Sequence, residues 1–307
     1  MYVYTYSCVC TYAQVLVRNG DHGHPPPLPY DHTKVTGVAV IGPSGNVTGS
    51  DAVSAYCGDY AACERCPDNH TVSIVTGISN YLASANSGAT VMAANGCADG
   101  RNGTDASGIA QAVALARSPA ISHVVLAVGM DGALEGEGND RLPSRFPNGI
   151  GLPGVQQRLV DAVVAVGKPT TVVVIGGGAM PVRAQGPRVA VAYALYPGVE
   201  TGNALAELLF GETSPSSKLP FTVPVSAAQL PLYTNFSMVA RPYGRTFSWI
   251  RGNGSQPLYE YGFGLSYSRF SFADLQVHAG SVNAEHPGPI TVKVTLMLES
   301  DFPTSYL

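Results

Sequence analysis

The chain has 307 residues, enough for one large domain or two modest ones around a substantial core. Apolar residues make up 45% and charged residues only 12%, while 35 glycines and 23 prolines with no short period describe a turn-rich folded protein, not a collagen-like or low-complexity one. A net charge of −4 gives no support to binding of nucleic acid or anionic membrane, and no apolar run reaches the roughly 18 to 20 residues that span a bilayer.

Met1 to Val17 is rich in Tyr, Cys and Val and lacks the basic start and apolar centre of a signal peptide. With Asp21-His22-Gly23-His24 and Pro25 to Pro27 it reads as a tail and linker over 1–33. The protein's true start is expected upstream, or this segment is an artefact of the gene model. From residue 35 short β-branched runs alternate with helical stretches. Val35 to Ile41 predicts a strand ending at Gly42-Pro43, Thr71 to Ala85 a helix, and Thr90 to Ala93 a second strand. Asp105 is placed to cap a helix over Ala106 to Arg117. His123 to Val128 follows as a third strand. Leu152-Pro153 opens a helix through Val166, with Val155, Leu159 and Val163 on one face. Thr170 to Ile175 and Val189 to Leu195 are strands, and Thr201 to Phe210 a helix stopped by Gly211.

Strands that are apolar throughout are expected where helices cover both faces of a sheet. Repeated βα alternation therefore predicts an α/β fold, a doubly wound and mostly parallel sheet sandwiched by helices. The loops after Ile41, Val128, Ile175 and Leu195 should share the edge where such sheets bind ligands. The domain spans 34–240, with a connecting segment over 241–268. Phe270 to Val277 and Ile290 to Leu298 then read as strands opening a β-sandwich, a partial domain over 269–307.

Five N-x-[ST] triplets, at Asn46, Asn69, Asn102, Asn235 and Asn253, favour a secretory route and an extracellular location. The cysteines fit one or two disulfides, with Cys57, Cys63, Cys66 and Cys97 as candidates. The competing zinc or redox site at Cys63-x-x-Cys66 lacks a second ligand pair. His22, His24, His32 and His123 form no ligand set, so neither metal nor cofactor is expected. No G-x-S-x-G marks a serine nucleophile. Gly176 to Gly178 follows a strand without the Lys-Ser/Thr of a phosphate cradle, and predicts a tight turn.

Several ordered blocks resemble the C-terminal half of glycoside hydrolase family 3, in its β-xylosidase and α-arabinofuranosidase branch. They are VAVIGPSGN (38–46), GCADG (96–100), VVLAVGMDGALEGEGNDR (124–141), LPGVQQRLVDAV (152–163), KPTTVVVIGGGAMPV (168–182), the stretch from ALYPG to FTVP (194–224), YGRTF (243–247) and YEYGFGLSYSRF (259–270). The resemblance implies an oligosaccharide or glycoside substrate and a retaining exo-β-xylosidase or β-glucosidase in polysaccharide breakdown. It also implies an N-terminal (β/α)₈ barrel with the nucleophilic aspartate, absent here, and a fibronectin-III-like end domain, here cut short. A chain without that barrel is expected to be inactive alone.

Retention needs two carboxyl groups about 5 to 5.5 Å apart, one of which shuttles a proton. By resemblance Glu135, the first glutamate of E-x-E-x-x-D-R, is the acid/base, with Glu137 as the alternative. Solvated loop carboxylates are the plain competing reading of both. Asp140-Arg141 is expected to form an ion-paired brace shaping the loop. Arg245 and Tyr261 lie in blocks that suit either packing or sugar contact. The alternative to an enzyme is a non-catalytic remnant that binds a glycan or a partner.

Overall fold

The computed structural model describes residues 14–58, 70–97, 101, 103–141, 149–232, 234–239, 244–247, 256–279 and 290–299. The chain divides into two units between Leu265 and Ser266.

The first unit is built on a six-stranded sheet. In chain order its elements are β1 (Val15–Asn19), β2 (Gly37–Ile41), α1 (Gly49–Cys57), α2 (Ile74–Ser84), β3 (Thr90–Ala94), α3 (Ile109–Arg117), β4 (His123–Gly129), α4 (Gln156–Val164), β5 (Thr170–Ile175), β6 (Val189–Leu195) and α5 (Thr201–Phe210). The strand order is β1-β6-β5-β4-β2-β3. All pairs are parallel except β1 with β6. The loops leaving β2, β4, β5 and β6 therefore share one edge. Strands β2 and β5 are buried along their whole length, as apolar runs covered on both faces must be, whereas β3 at the rim is half-exposed. The second unit is an antiparallel pair, β7 (Phe270–Ala279) with β8 (Ile290–Leu298).

The structure departs from the sequence reading at several points. The expected linker over 1–33 is corrected first: Val15 to Asn19 is an edge strand, buried from Val15 to Val17. The residues after it are tied down too. The Asn19 side chain exchanges two 2.9 Å bonds with the backbone of Leu28, and the buried Tyr30 hydroxyl lies 2.6 Å from Thr171 Oγ1 on β5. The helix expected from Ala106 starts at Ile109 with Gly108 at its N-cap, and Asp105 instead accepts from the Ser107 amide in a local turn at 2.8 Å. The helix expected from Leu152 starts at Gln156. Helix α1 was not foreseen. No helix among the described residues is long and apolar enough to cross a membrane.

His123 begins β4 with its ring 4.5 Å from that of Tyr30 and Nδ1 2.9 Å from Ser122 Oγ. Burial pushes its pKa down to about 4. The unfolded imidazole, near 6.5, then takes up a proton before the folded one does. Stability is full above pH 6.5 and falls as pH drops towards 4. After discounting for partial solvent screening, the loss is expected to reach about 2 kcal/mol. Urea unfolding at pH 7 and pH 4.5 should show it, and His123→Gln should flatten that part of the profile.

Candidate active site

The loop leaving β4 is a small folded structure. Met130 and Leu134 are buried beneath it, and the Leu134 and Glu135 amides donate to Asp131 O at 3.0 and 3.1 Å. Gly136 and Asn139 then exchange backbone bonds of 3.0 and 3.1 Å, closing a tight turn in which Gly138 has φ of 70°. Glu137 and Asp140 are exposed on this turn. Glu135 is held further in, with its side chain 35% exposed.

Arg141 fixes that carboxylate. Its Nη2 donates to Glu135 Oε2 at 2.8 Å and its Nε lies 2.7 Å from Oε1. Its Nη1 donates to the carbonyls of Ala179 at 2.8 Å and Ile150 at 3.1 Å. One guanidinium thus ties Glu135 to the turn that follows β5, a fork that lysine could not reproduce. The expected brace at Arg141 forms, but its acid is Glu135, six residues back, and not the adjacent Asp140. The Gly176–Gly178 turn makes room for it. A Cβ on Gly178 would sit 2.4 Å from Arg141 Nη2 and 2.9 Å from Glu135 Oε2.

Two arrangements escaped the sequence reading. Gln156 is fully buried at the start of α4, and its amide bonds both the N–H and the C=O of Gly129 and the Arg101 carbonyl, each at 2.8 Å. It anchors the point where the loop leaves β4. Arg101 in turn donates through Nε to Asp131 Oδ2 at 2.7 Å and through Nη2 to Asp51 on α1. Ser54 Oγ reaches the same Asp131 oxygen at 3.3 Å.

The remaining candidates lie elsewhere. Arg245 donates through Nε to Asn235 O at 3.0 Å, and Tyr261 stacks on Phe247 with ring centroids 4.9 Å apart. Both line a separate cavity of about 410 Å³. Cys57 is disulfide-bonded. Cys97 is a buried thiol within the hydrophobic core cluster, which corrects its place among the disulfide candidates. Asn46 is exposed and Asn235 half-buried. Cys63, Cys66, Asn69, Asn102 and Asn253 lie outside the described residues.

The first unit is a mostly parallel α/β domain that carries Glu135 on a loop at the C-terminal edge of its sheet. Residues 14–267 match the glycosyl hydrolase family 3 C-terminal domain, and the chain belongs to glycoside hydrolase family 3. It is similar to the probable β-D-xylosidase 7 of Arabidopsis thaliana, 32% identical over 253 residues that make up 80% of this chain and 29% of that protein. It also resembles a β-xylosidase of Formosa agariphila, 28% identical over 87% of this chain and 35% of the relative. The match therefore spans about a third of the length of these two relatives, and as little as 19% of others. Among solved structures, a family 3 exo-β-xylosidase in complex with a xylobiose aziridine activity-based probe superposes with a TM-score of 0.68 at 26% identity, over 87% of this chain and 32% of that one. The family 3 β-glucosidase of Bifidobacterium adolescentis gives a TM-score of 0.70 at 24% identity, over 97% and 40%, a likeness of fold.

Proposed function

We propose that this chain supplies the proton-transfer half of a retaining β-glycosidase acting on β-xylosides or β-glucosides, with Glu135 as the acid/base. The observation that carries the reading is the single inward glutamate of the β4 loop, oriented by Arg141 at the ligand-binding edge of the sheet. Glu135 would first protonate the departing glycosidic oxygen and then take a proton from the water that releases the sugar. The nucleophile would come from a barrel in a longer polypeptide. Export to an oxidising compartment suits the bonded Cys57 and the exposed Asn46 triplet.

A second reading, a glycan-binding remnant, is favoured by the same clamp, because both Glu135 oxygens are engaged by Arg141. The two part in one experiment. Residues 14–267 are grafted in place of the matching segment of the Formosa agariphila β-xylosidase, and aryl β-D-xylosides of graded leaving-group ability are assayed. Glu135→Gln should lower kcat/KM about 10²- to 10⁴-fold for xylobiose and far less for the 2,4-dinitrophenyl glycoside, which needs no proton to leave. A uniform loss across leaving groups, or none, would remove Glu135 from the acid role. Residues 1–307 alone should release no 4-nitrophenol from the 4-nitrophenyl β-xyloside.

A further inference from the structure

Gln156 is a polar side chain where packing alone would select an apolar one. It opens α4 and is fully buried, as are Leu159, Val160 and Val163 on the same helix. Glutamine is seldom fully buried, and a buried amide is tolerated when its hydrogen bonds are made. All the bonds of Gln156 go to backbone at the root of the β4 loop. Oε1 accepts from the Gly129 N–H, and Nε2 donates to the Gly129 and Arg101 carbonyls, each at 2.8 Å.

The sheet explains why a side chain is needed there. Strand β2 pairs with β4 only as far as Ile41 with Leu126, whereas β5 follows β4 to its end, Gly129 with Ile175. At Gly129 the amide of Gln156 stands in for a neighbouring strand, taking the N–H and the C=O of one residue as a ladder does. Removing it would strand both backbone groups and favour rearrangement of the chain that follows. Two connections run from this point to Glu135. One is the backbone, in which Asp131 O accepts the Leu134 and Glu135 amides at 3.0 and 3.1 Å. The other is Arg101, whose carbonyl Gln156 holds and whose Nε donates to Asp131 Oδ2 at 2.7 Å. Gln156 thus steadies both supports of Asp131, the residue on which the Glu135 turn is built. None of its bonds reaches Glu135 itself.

We infer that Gln156 is a positioning residue for the acid/base, setting the exit of the β4 loop so that the Glu135 carboxyl stands at the departing oxygen. The inference rests on the acid/base reading of Glu135. The test uses the grafted xylosidase. Gln156→Met keeps the side-chain length and removes all three bonds, whereas Gln156→Glu keeps the acceptor for the Gly129 N–H and offers at most one donor. A misplacement near 1 Å costs on the order of 10²-fold in rate. Gln156→Met should therefore lower kcat/KM for xylobiose about 10- to 100-fold, but less than about threefold for the 2,4-dinitrophenyl β-xyloside, which needs no proton to leave. Gln156→Glu should lose less. Loss of folded protein lowers every substrate in the same proportion, and the dinitrophenyl rate counts the folded enzyme in each preparation. A uniform fall across leaving groups in both variants, or no fall, overturns the positioning role while Glu135→Gln keeps its selective loss. A flat profile in Glu135→Gln itself removes the acid/base reading, and this inference with it.

Discussion

Gly202→Ala is expected to destabilise the protein by more than about 3 kcal/mol, although alanine is the better helix former by about 1 kcal/mol. Helices α2 and α5 meet backbone to backbone. A Cβ on Gly202 would lie 1.9 Å from Ser73 O, and one on Gly77 would lie 1.9 Å from the Gly202 carbonyl carbon. Neither obstacle is the movable end of a side chain. The approach is also locked by hydrogen bonds, from Val72 N to Val199 O at 2.8 Å and from Gly202 N to Val72 O at 3.0 Å. Accommodating a methyl group therefore means parting the helices and giving up those bonds along with the buried contacts of Ile74, Ile78 and Leu205. Gly77→Ala should behave alike. Thermal unfolding should show a fall of roughly 6 to 12 °C for each. Asn80→Ala, on the exposed side of α2, serves as the control and should gain a few tenths of a kcal/mol. A glycine variant as stable as this control would mean that the helices can move apart at little cost.

The parts of this fold that could be read from residues are those whose physics is local. The mainly apolar runs at β2, β4, β5 and β6 require cover on both faces, and together with the βα alternation they imply parallel pairing and a shared ligand edge. Gly211, with φ of 81°, ends α5 as a C-terminal glycine should. What escaped depended on distant partners. The VLVRN segment of β1 follows a Tyr- and Cys-rich stretch, and its partner is the distant edge of β6, which no local pattern announces. Helix α1, GSDAVSAYC, opens on Gly-Ser-Asp and has only two alanines among weak helix formers; it is held by buried Ala52, Ala55 and Tyr56, whose hydroxyl donates to Ser44 O at 2.7 Å. The site divides in the same way. Glu135 and Arg141 stand in one short motif, so their pairing lay within reach of the sequence. Asp51, Arg101 and Asp131 belong to three different loops and helices and share no motif; Arg101 is 50 residues from one partner and 30 from the other.

Arg101→Met should cost about 3 to 5 kcal/mol in urea unfolding, the toll for stranding a buried carboxylate. The Asp131 and Arg101 side chains are only 7% and 11% exposed, and among the described residues Asp131 Oδ1 already lacks a hydrogen-bond partner. Removing the guanidinium leaves Asp131 with Ser54 alone, at 3.3 Å. The double variant Arg101→Met/Asp131→Leu removes both charges and should recover most of the loss, since a buried pair replaced by apolar groups of similar volume is often neutral. Its interest is that Asp131 begins the loop bearing Glu135, whose amide it receives at 3.1 Å. In the grafted xylosidase, a double variant that regains stability but remains slow on xylobiose would show that the ion pair positions the loop. Full recovery of both stability and rate would confine the pair to the fold and leave the orientation of Glu135 to Arg141.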